Sequence, residues 1–337
     1  MTLLSPETYL DHIRVESARF RSVLADCDPE ARVPTCPDWS AADLLWHLAK
    51  VQRFWAGIVV DRPAEKDEAD EPERPAAYAA LLAAFDDWSA APVGALEGID
   101  VKEEAWTWSD DHTVGFILRR QAHEALIHRL DAEQTAGALS EVDANLAADG
   151  VAEMIGVMFG GCPPWGSWEP LPHYARLDCT DTGDELWAQF GLFSGTDPDS
   201  GDVISGEQDF HLVEAPDDVE PDAVIDGPAA ALDARLWHRG DDSELSIAGD
   251  RSILDRFPRD RVAPHHLKMA VVRSHRVTAD HRHLVRSALD GAGPLRCERD
   301  GGVAGCGRLA LLEGPVGGAE PQRVGQRLLA LADPGRR

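Results

Sequence analysis

The chain has 337 residues, of which 44% are hydrophobic, so it can bury the core of one large domain or of two ordinary ones. Its 32 Lys and Arg residues stand against 60 Asp and Glu residues, which gives a formal net charge of −28. This charge excludes nucleic acid and anionic membranes as main partners, because both repel an acidic surface. No apolar run approaches the roughly 20 residues of a membrane span.

Two features that the sequence lacks, a secretory signal and paired cysteines, indicate the cellular compartment. The first residues contain neither the basic nor the apolar segment of a secretory signal. Six cysteines are scattered along the chain without a Cys-x-x-Cys pair. Both features favour a reducing, cytoplasmic location.

Helical patterns dominate the first half of the chain. Ser5, Pro6 and Glu7 supply an N-cap, a first-position proline and a first-turn acid, and they predict a helix to about residue 26. The prolines within 33–40 predict a stiff loop. Ser40 with Asp43 resembles a capping box, which predicts a helix over 41–60. Periodicity predicts further helices over 75–90, 114–136 and 142–159.

The helix over 114–136 carries a candidate metal site. Glu124 and His128 are four residues apart and therefore share one helical face. A carboxylate and an imidazole so placed can hold a divalent ion, or they can form a solvated ion pair. Gln121 and Asp131 extend this polar stripe beside an apolar one, which favours a site between helices.

A third candidate ligand lies on the helix over 41–60. His47 borders the apolar face of that helix. Taken alone, such a residue is typical of a hydrogen-bonded core histidine. With Glu124 and His128 available on another helix, the metal-ligand interpretation becomes the favoured one.

The neighbours of these three residues receive other roles. Asp131 is expected to orient the His128 imidazole or to hold Arg129. His123 points about 100° away from Glu124 on an ideal helix and is therefore left out of the site. Cys36, in the proline-rich loop, is interpreted as structural rather than as a ligand or nucleophile.

Strand-like alternation begins beyond a Gly- and Pro-rich segment that follows residue 160. Strands are predicted over 175–180 and 185–190, joined by a hairpin turn, with shorter strands over 210–213, 223–226 and 245–250. Helices are predicted from 227 to 238 and from 252 to 257. These patterns predict a helical domain over residues 1–160 and an α+β domain over 172–258.

The composition changes in the last segment of the chain. Residues 259–337 contain 14 Lys and Arg against 8 Asp and Glu, and they contain no Phe, Trp or Tyr. Such a segment is typical of a disordered basic appendage or of an out-of-frame reading of GC-rich DNA. We expect it to add little to the folded core and nothing to catalysis.

Four motifs together resemble the mycothiol-dependent maleylpyruvate isomerase family, a branch of the DinB-like metalloenzymes. They are VPTCPDWS at 33–40, DLLWHL at 43–48, RQAHE at 120–124 and HRLD at 128–131. The resemblance covers about residues 5–258. It implies a DinB-like antiparallel helical bundle followed by a smaller α+β domain similar to sterol-carrier folds. Ala49 departs from the His-Leu-Gly that the family often has after its first ligand.

The resemblance also implies a chemistry. The family's metal ligands correspond to His47, Glu124 and His128, with zinc as the expected metal and mycothiol as the thiol cosubstrate. Three protein ligands leave a position open for a thiolate, which would attack a small electrophile and lead to isomerisation or S-transfer. We expect a monomer whose partners are this thiol and electrophile, with no nucleic acid or membrane partner.

The sequence is also compatible with two other classes of function. A metal-dependent hydrolase could use the same ligands to hold an attacking hydroxide, and it would act without an added thiol. A non-catalytic stress-response protein could keep the metal and be indifferent to thiols.

Overall fold

A computed structural model describes residues 3–63, 72–198, 200–250 and 252 of the chain. Every described residue lies within one compact unit, Met1–Val277. The predicted helix over 252–257 lies outside the described residues except for Ser252. The expectations for the 259–337 tail lie wholly outside them.

The first two helices begin at the predicted caps. Helix α1 spans Pro6–Ala25, and the Ser5 side chain accepts a hydrogen bond from the backbone N–H of Thr8. Helix α2 spans Ala41–Asp61 and begins with a reciprocal capping box between Ser40 and Asp43. These side chains pair backbone groups that a helix N-terminus otherwise leaves free, which explains why the local sequence fixes both starting points.

Two predictions for the bundle were wrong. The segment over 33–40 contains a small antiparallel hairpin, β1 (Arg32–Val33) and β2 (Cys36–Ser40), rather than a loop alone. Helix α3 spans Tyr78–Leu96 and continues through Pro92, beyond the predicted end at residue 90. Pro92 and Leu96 are both buried, so packing outweighs the backbone hydrogen bond that a proline removes.

The predicted metal helix has the bounds that its sequence indicates. Helix α4 spans Val114–Ala136, starts at the Thr113 cap and ends at Gly137 in the left-handed conformation. Side-chain pairs show that α1 and α4 run in the same direction, because Glu16 meets Arg129 and Arg19 meets Glu133.

The helical part ends in helix α5, Ala144–Glu153, followed by a π-helical turn over Met154–Met158. A single hydrophobic core contains residues from α5, this turn, the sheet that follows and helix α6, Ala229–Leu236. The last helix before residue 160 is therefore packed into the core of the α+β part.

Between residues 166 and 249 the described part of the chain forms a five-stranded mixed sheet. Its strands are β3 (Gly166–Cys179), β4 (Glu185–Thr196), β5 (Val203–Val213), β6 (Ala223–Gly227) and β7 (Ser246–Gly249), in the spatial order β5-β4-β3-β6-β7. Only β3 and β6 pair in parallel. The strand predicted over 175–180 starts nine residues earlier, because the register shift between Pro170 and Tyr174 accommodates the prolines.

The predicted fold class is confirmed, since a helical N-terminal region precedes an α+β region. The proposed division into domains 1–160 and 172–258 stays a prediction. Along the described part of the chain, no helix is both long enough and apolar enough to cross a membrane.

The contact between α5 and α6 supplies a test of the packing. A Cβ atom added at Gly150 would lie 2.8 Å from Oδ1 of Asp233, whose side chain is buried on α6. The Gly150→Ala variant should therefore lose about 1–3 kcal/mol of stability, measured by denaturant unfolding.

The matched control is Gly94 in α3, where an added Cβ meets nothing within 4 Å. Gly94→Ala should stabilise the protein by about 0.5–1 kcal/mol through helix propensity. Stabilisation by both substitutions would show that α5 and α6 are not tightly packed.

Candidate metal centre

Three side chains from two helices meet inside the bundle. His47 comes from α2, whereas Glu124 and His128 come from one face of α4. One ligand atom of each lies within 4.8 Å of the others. Oε1 of Glu124 is 3.2 Å from Nε2 of His128 and 3.6 Å from Nε2 of His47. The structure thus brings together all three predicted ligands.

These distances fit a tetrahedral metal site. Zinc bonds of about 2.0–2.1 Å to nitrogen and oxygen hold neighbouring ligand atoms about 3.3 Å apart. The two separations from Glu124 lie close to this value. Two imidazoles and one carboxylate are also a donor set that catalytic zinc sites use. His47, Glu124 and His128 therefore fit a divalent ion without a large rearrangement.

The cluster has a strong internal electrostatic balance. Burial alone would raise the pKa of Glu124, but the neighbouring His128 and His47 imidazoles hold it well below its usual value. Burial alone would lower the pKa of His128, yet its hydrogen bonds to Asp131 and Glu124 raise it to about 9. Without a metal, the cluster therefore holds an ionised carboxylate beside a protonated imidazole at neutral pH.

Asp131 orients the His128 ring from behind. Its Oδ2 atom lies 3.0 Å from Nδ1 of His128, which leaves Nε2 facing Glu124. Arg239 donates to both carboxylate oxygens at 2.9 Å, and Thr35 donates to Oδ1 at 2.5 Å. Burial would raise the Asp131 pKa, but Arg239 and His128 lower it. A carboxylate behind a metal-binding histidine fixes its tautomer.

The alternative role for Asp131, holding Arg129, does not occur in this arrangement. Arg129 instead donates to Glu16 of α1 at 2.6 Å and to carbonyl oxygens beyond the end of α4. Of the two roles that the sequence left open for Asp131, the structure therefore shows contact with His128.

The second oxygen of Glu124 faces an arginine. Arg120 donates to Oε2 of Glu124 at 3.2 Å, and it also pairs with the buried Glu153 of α5. Arg120 thereby orients Glu124 so that Oε1 faces the two histidines. The i, i+4 spacing of Arg120 and Glu124 could have revealed this pair in the sequence.

The remaining candidates lie outside the cluster. His123 points away from Glu124, as its helical position predicted, and it is buried and pairs with Asp149 of α5 at 2.8 Å. Cys36 is a free thiol. Burial and, secondarily, Asp131 raise its pKa to about 11, which disfavours the thiolate that a ligand or nucleophile needs.

Arg239 is the residue that the sequence did not reveal. It follows α6 and lies 108 positions from Asp131 in the chain. No local pattern connects the two residues, because their contact depends on how the α+β part packs beside α4. The bidentate pairing places a side chain from the second half of the chain directly behind the candidate metal centre.

The fold and the site together define a class of protein: a helical bundle that carries a buried His/Glu cluster and is joined to an α+β part. Residues 10–133, which include all three candidate ligands, match the family model of the mycothiol maleylpyruvate isomerase N-terminal domain. This match confirms the resemblance carried by the four motifs.

Solved structures share the fold. One is the crystal structure of a mycothiol-dependent maleylpyruvate isomerase, and another is a histidine-to-alanine mutant of it. Each is 14% identical in sequence, with a TM-score of 0.50 over 74% of this chain and 96% of that chain. A search of curated proteins gave no match.

The contact between Asp131 and His128 leads to a prediction for metal affinity. Asp131→Asn removes the charge that Arg239 and His128 share, so the imidazole loses its fixed orientation. We expect zinc affinity to fall about 10–100-fold, measured by competition with a chelator.

A matched control exists on the surface, where Asp86 makes the same bidentate contact with Arg21. Asp86→Asn should leave zinc affinity unchanged. An equal affinity in the wild type and in Asp131→Asn would show that the Asp131 contact does not support the metal.

The raised pKa of His128 generates a second prediction. A metal ion binds imidazole only after the proton has left, so protons compete with the metal up to about pH 9. Zinc affinity should rise by up to about tenfold per pH unit from pH 6 and level off near pH 9. A dissociation constant independent of pH between 6 and 9 would contradict the paired cluster.

The raised pKa of His128 also makes the stability of the metal-free protein depend on pH. Protonation of His128 weakens zinc binding, but it stabilises the metal-free fold. Since the folded-state pKa of His128 lies above the ordinary imidazole pKa of 6.5, protonated His128 stabilises the fold fully below pH 6.5. That contribution is lost as the pH rises through about 9. Unfolding curves of the metal-free protein across this range measure the loss.

Proposed function

We propose that this protein is a mycothiol-dependent isomerase that acts on a small maleyl-type substrate through a divalent metal, zinc by its donor set. The observation that carries the proposal is the position of Glu124 Oε1 between the Nε2 atoms of His47 and His128. The match to the mycothiol maleylpyruvate isomerase N-terminal domain over the residues that supply all three ligands supports the same activity.

The metal, when bound, lowers the pKa of a coordinated thiol so that the thiolate persists at neutral pH. The protein's own residues prepare the site for it. Asp131 keeps the proton of His128 on Nδ1 and frees Nε2 as a ligand atom. Arg120 holds the second oxygen of Glu124, so only Oε1 faces the histidines.

The bonds that form and break in the reaction belong only to the thiol and the substrate. The thiolate adds to one carbon of the double bond, a C–S bond forms, and the π electrons move onto the conjugated carbonyl group. Rotation about the resulting single bond follows. Return of the electrons expels the thiolate and restores the double bond in the trans configuration, so the thiol is regenerated.

The Glu124 side of the cluster is more exposed than the side that Asp131 occupies. The Glu124 side chain is 21% exposed, whereas Asp131 behind His128 is 0% exposed. A thiol can therefore approach from the Glu124 side while the supporting carboxylate stays shielded from water. Shielding keeps the supporting hydrogen bonds strong, because the local dielectric constant is low.

The proposal is tested on the purified full-length protein. Zinc content is measured together with the mycothiol-dependent cis-to-trans conversion of maleylpyruvate. His47→Ala, Glu124→Gln and His128→Ala should each lose stoichiometric zinc and lower kcat/KM about a thousandfold or more. His173→Ala, a half-exposed histidine of the α+β part, is the matched control and should retain both.

Other outcomes assign other functions. A thioether product formed with net consumption of thiol would indicate S-transfer instead of isomerisation. Turnover of an ester or amide without any thiol would indicate a metal-dependent hydrolase. Retained zinc in His128→Ala would overturn the ligand assignment itself.

A further inference from the structure

A half-buried tryptophan lies against one of the candidate ligands. Trp39 is in β2, and its ring centroid is 4.7 Å from that of His47, with an angle of 45° between the ring planes. This separation falls within the range that paired aromatic rings prefer. The contact joins the β1–β2 hairpin to helix α2, which carries His47.

His47 is surrounded differently from the other two candidate ligands. Polar contacts with Arg120 and Asp131 orient the two ligands on α4. The His47 ring contacts two other rings, that of Trp39 and that of His128, whose centroid is 4.8 Å away. Of these two neighbours, Trp39 is the one that is not itself a candidate ligand.

The orientation of the His47 ring requires a neighbour of this kind. A histidine ring turns about its Cβ–Cγ bond with only a broad torsional preference, so this bond does not fix the direction of Nε2. In the structure, Nε2 of His47 lies 3.6 Å from Oε1 of Glu124. A bulky ring in contact with the imidazole restricts its rotation before any metal ion binds, and less conformational entropy is then lost on binding.

Helix packing accounts for only part of the Trp39 contact. Trp39 immediately precedes Ser40, the cap of α2, and an apolar side chain at this position often packs against the fourth helical residue. That residue is Leu44, and Trp39 packs against the core cluster that contains it. Any apolar side chain can do this. Contact with the ring of His47, three residues further along α2, needs a longer side chain with a flat face.

The same hairpin also supports the second histidine of the cluster. Thr35, between β1 and β2, donates to Oδ1 of Asp131 at 2.5 Å, and Asp131 in turn contacts Nδ1 of His128. The β1–β2 hairpin therefore lies beside both histidines, one from each of the two helices that supply the candidate ligands.

We propose that Trp39 is a positioning residue that fixes the rotation of the His47 imidazole for metal binding. It acts through the ring of His47 and does not touch the metal. The assignment rests on the proposed function, because it requires His47 to be a metal ligand. It does not depend on which thiol or electrophile the protein uses.

The test measures the zinc affinity of the full-length protein by competition with a chelator. Trp39→Leu keeps an apolar side chain beside α2 but removes the ring, and Trp39→Met does the same with a longer side chain. Each should bind zinc about two- to tenfold more weakly, the effect of one aromatic contact. Trp39→Phe restores a ring and should bind zinc within about twofold of the wild type.

Two further measurements separate positioning from packing. All three variants have a smaller side chain than tryptophan, so each metal-free protein should melt below the wild-type temperature. Zinc affinity should fall only where the ring is lost, so it should not follow the melting temperature across the series. The visible absorption of the cobalt-loaded protein depends on coordination geometry. It should change in Trp39→Leu and match the wild type in Trp39→Phe.

Trp88 of α3 supplies the matched control. It is also half-buried, and its ring lies 5.4 Å from that of Trp46 at the same angle of 45°. Trp46 precedes His47 on α2 but is not a candidate ligand. Trp88→Leu should therefore leave zinc affinity within about twofold of the wild type.

This inference can fail while the proposed function stands. Unchanged zinc affinity in Trp39→Leu and Trp39→Met, or an equal loss in Trp39→Phe or in Trp88→Leu, would overturn the role of Trp39 alone. If the wild type bound no zinc, or if His47→Ala kept its zinc, the ligand assignment would fall, and the proposed function with it.

Discussion

The candidate centre depends on a carboxylate that is completely shielded from water. Asp131 is 0% exposed, and such a charge is stable only if it is paired and hydrogen-bonded. Its partners come from different parts of the chain: His128 from the same helix, Thr35 from the β1–β2 hairpin and Arg239 from beyond α6. The orientation of the His128 ring therefore depends on how these three parts of the chain pack together.

Helix α4 carries buried charges on other sides as well. Arg129 pairs with Glu16 of α1, Arg120 pairs with Glu153 of α5, and His123 pairs with Asp149. Removal of either member of such a pair leaves an uncompensated charge, which costs about 3–5 kcal/mol in comparable cases. These pairs specify the rotation of α4 about its axis, and that rotation decides which side chains face His47.

Local sequence rules predicted the elements whose ends are set by neighbouring residues. The Ser40–Asp43 capping box and the bounds of α4 follow from backbone groups that must be paired within one helical turn. The same rules failed at Pro92 in α3 and at Pro170 in β3. At Pro92, buried packing outweighs a proline penalty, and at Pro170 a register shift absorbs it.

The residues of the candidate site also fall into two groups, those that the sequence identified and those that it did not. Spacing and the family resemblance together identified His47, Glu124 and His128, because two of them share a helical face and the third borders a core stripe. Neither could find Arg239, whose contact with Asp131 joins residues 108 positions apart. Pairing at that separation is a property of tertiary packing and has no period in the sequence. Local spacing and the resemblance thus identify the ligands and Asp131, whereas Arg239, which holds Asp131, is identified only from the fold.

The cluster also resolves a conflict between stability and function. Glu124 needs a cationic partner when no metal is bound, and protonated His128 supplies one at 3.2 Å. The proton that stabilises this pair must leave before Nε2 can bind a metal ion. Because Asp131 already orients His128 with Nε2 toward Glu124, the exchange of the proton for a metal ion requires no rotation of the His128 ring. The balance between the protonated and the metal-binding form of His128 therefore depends on pH.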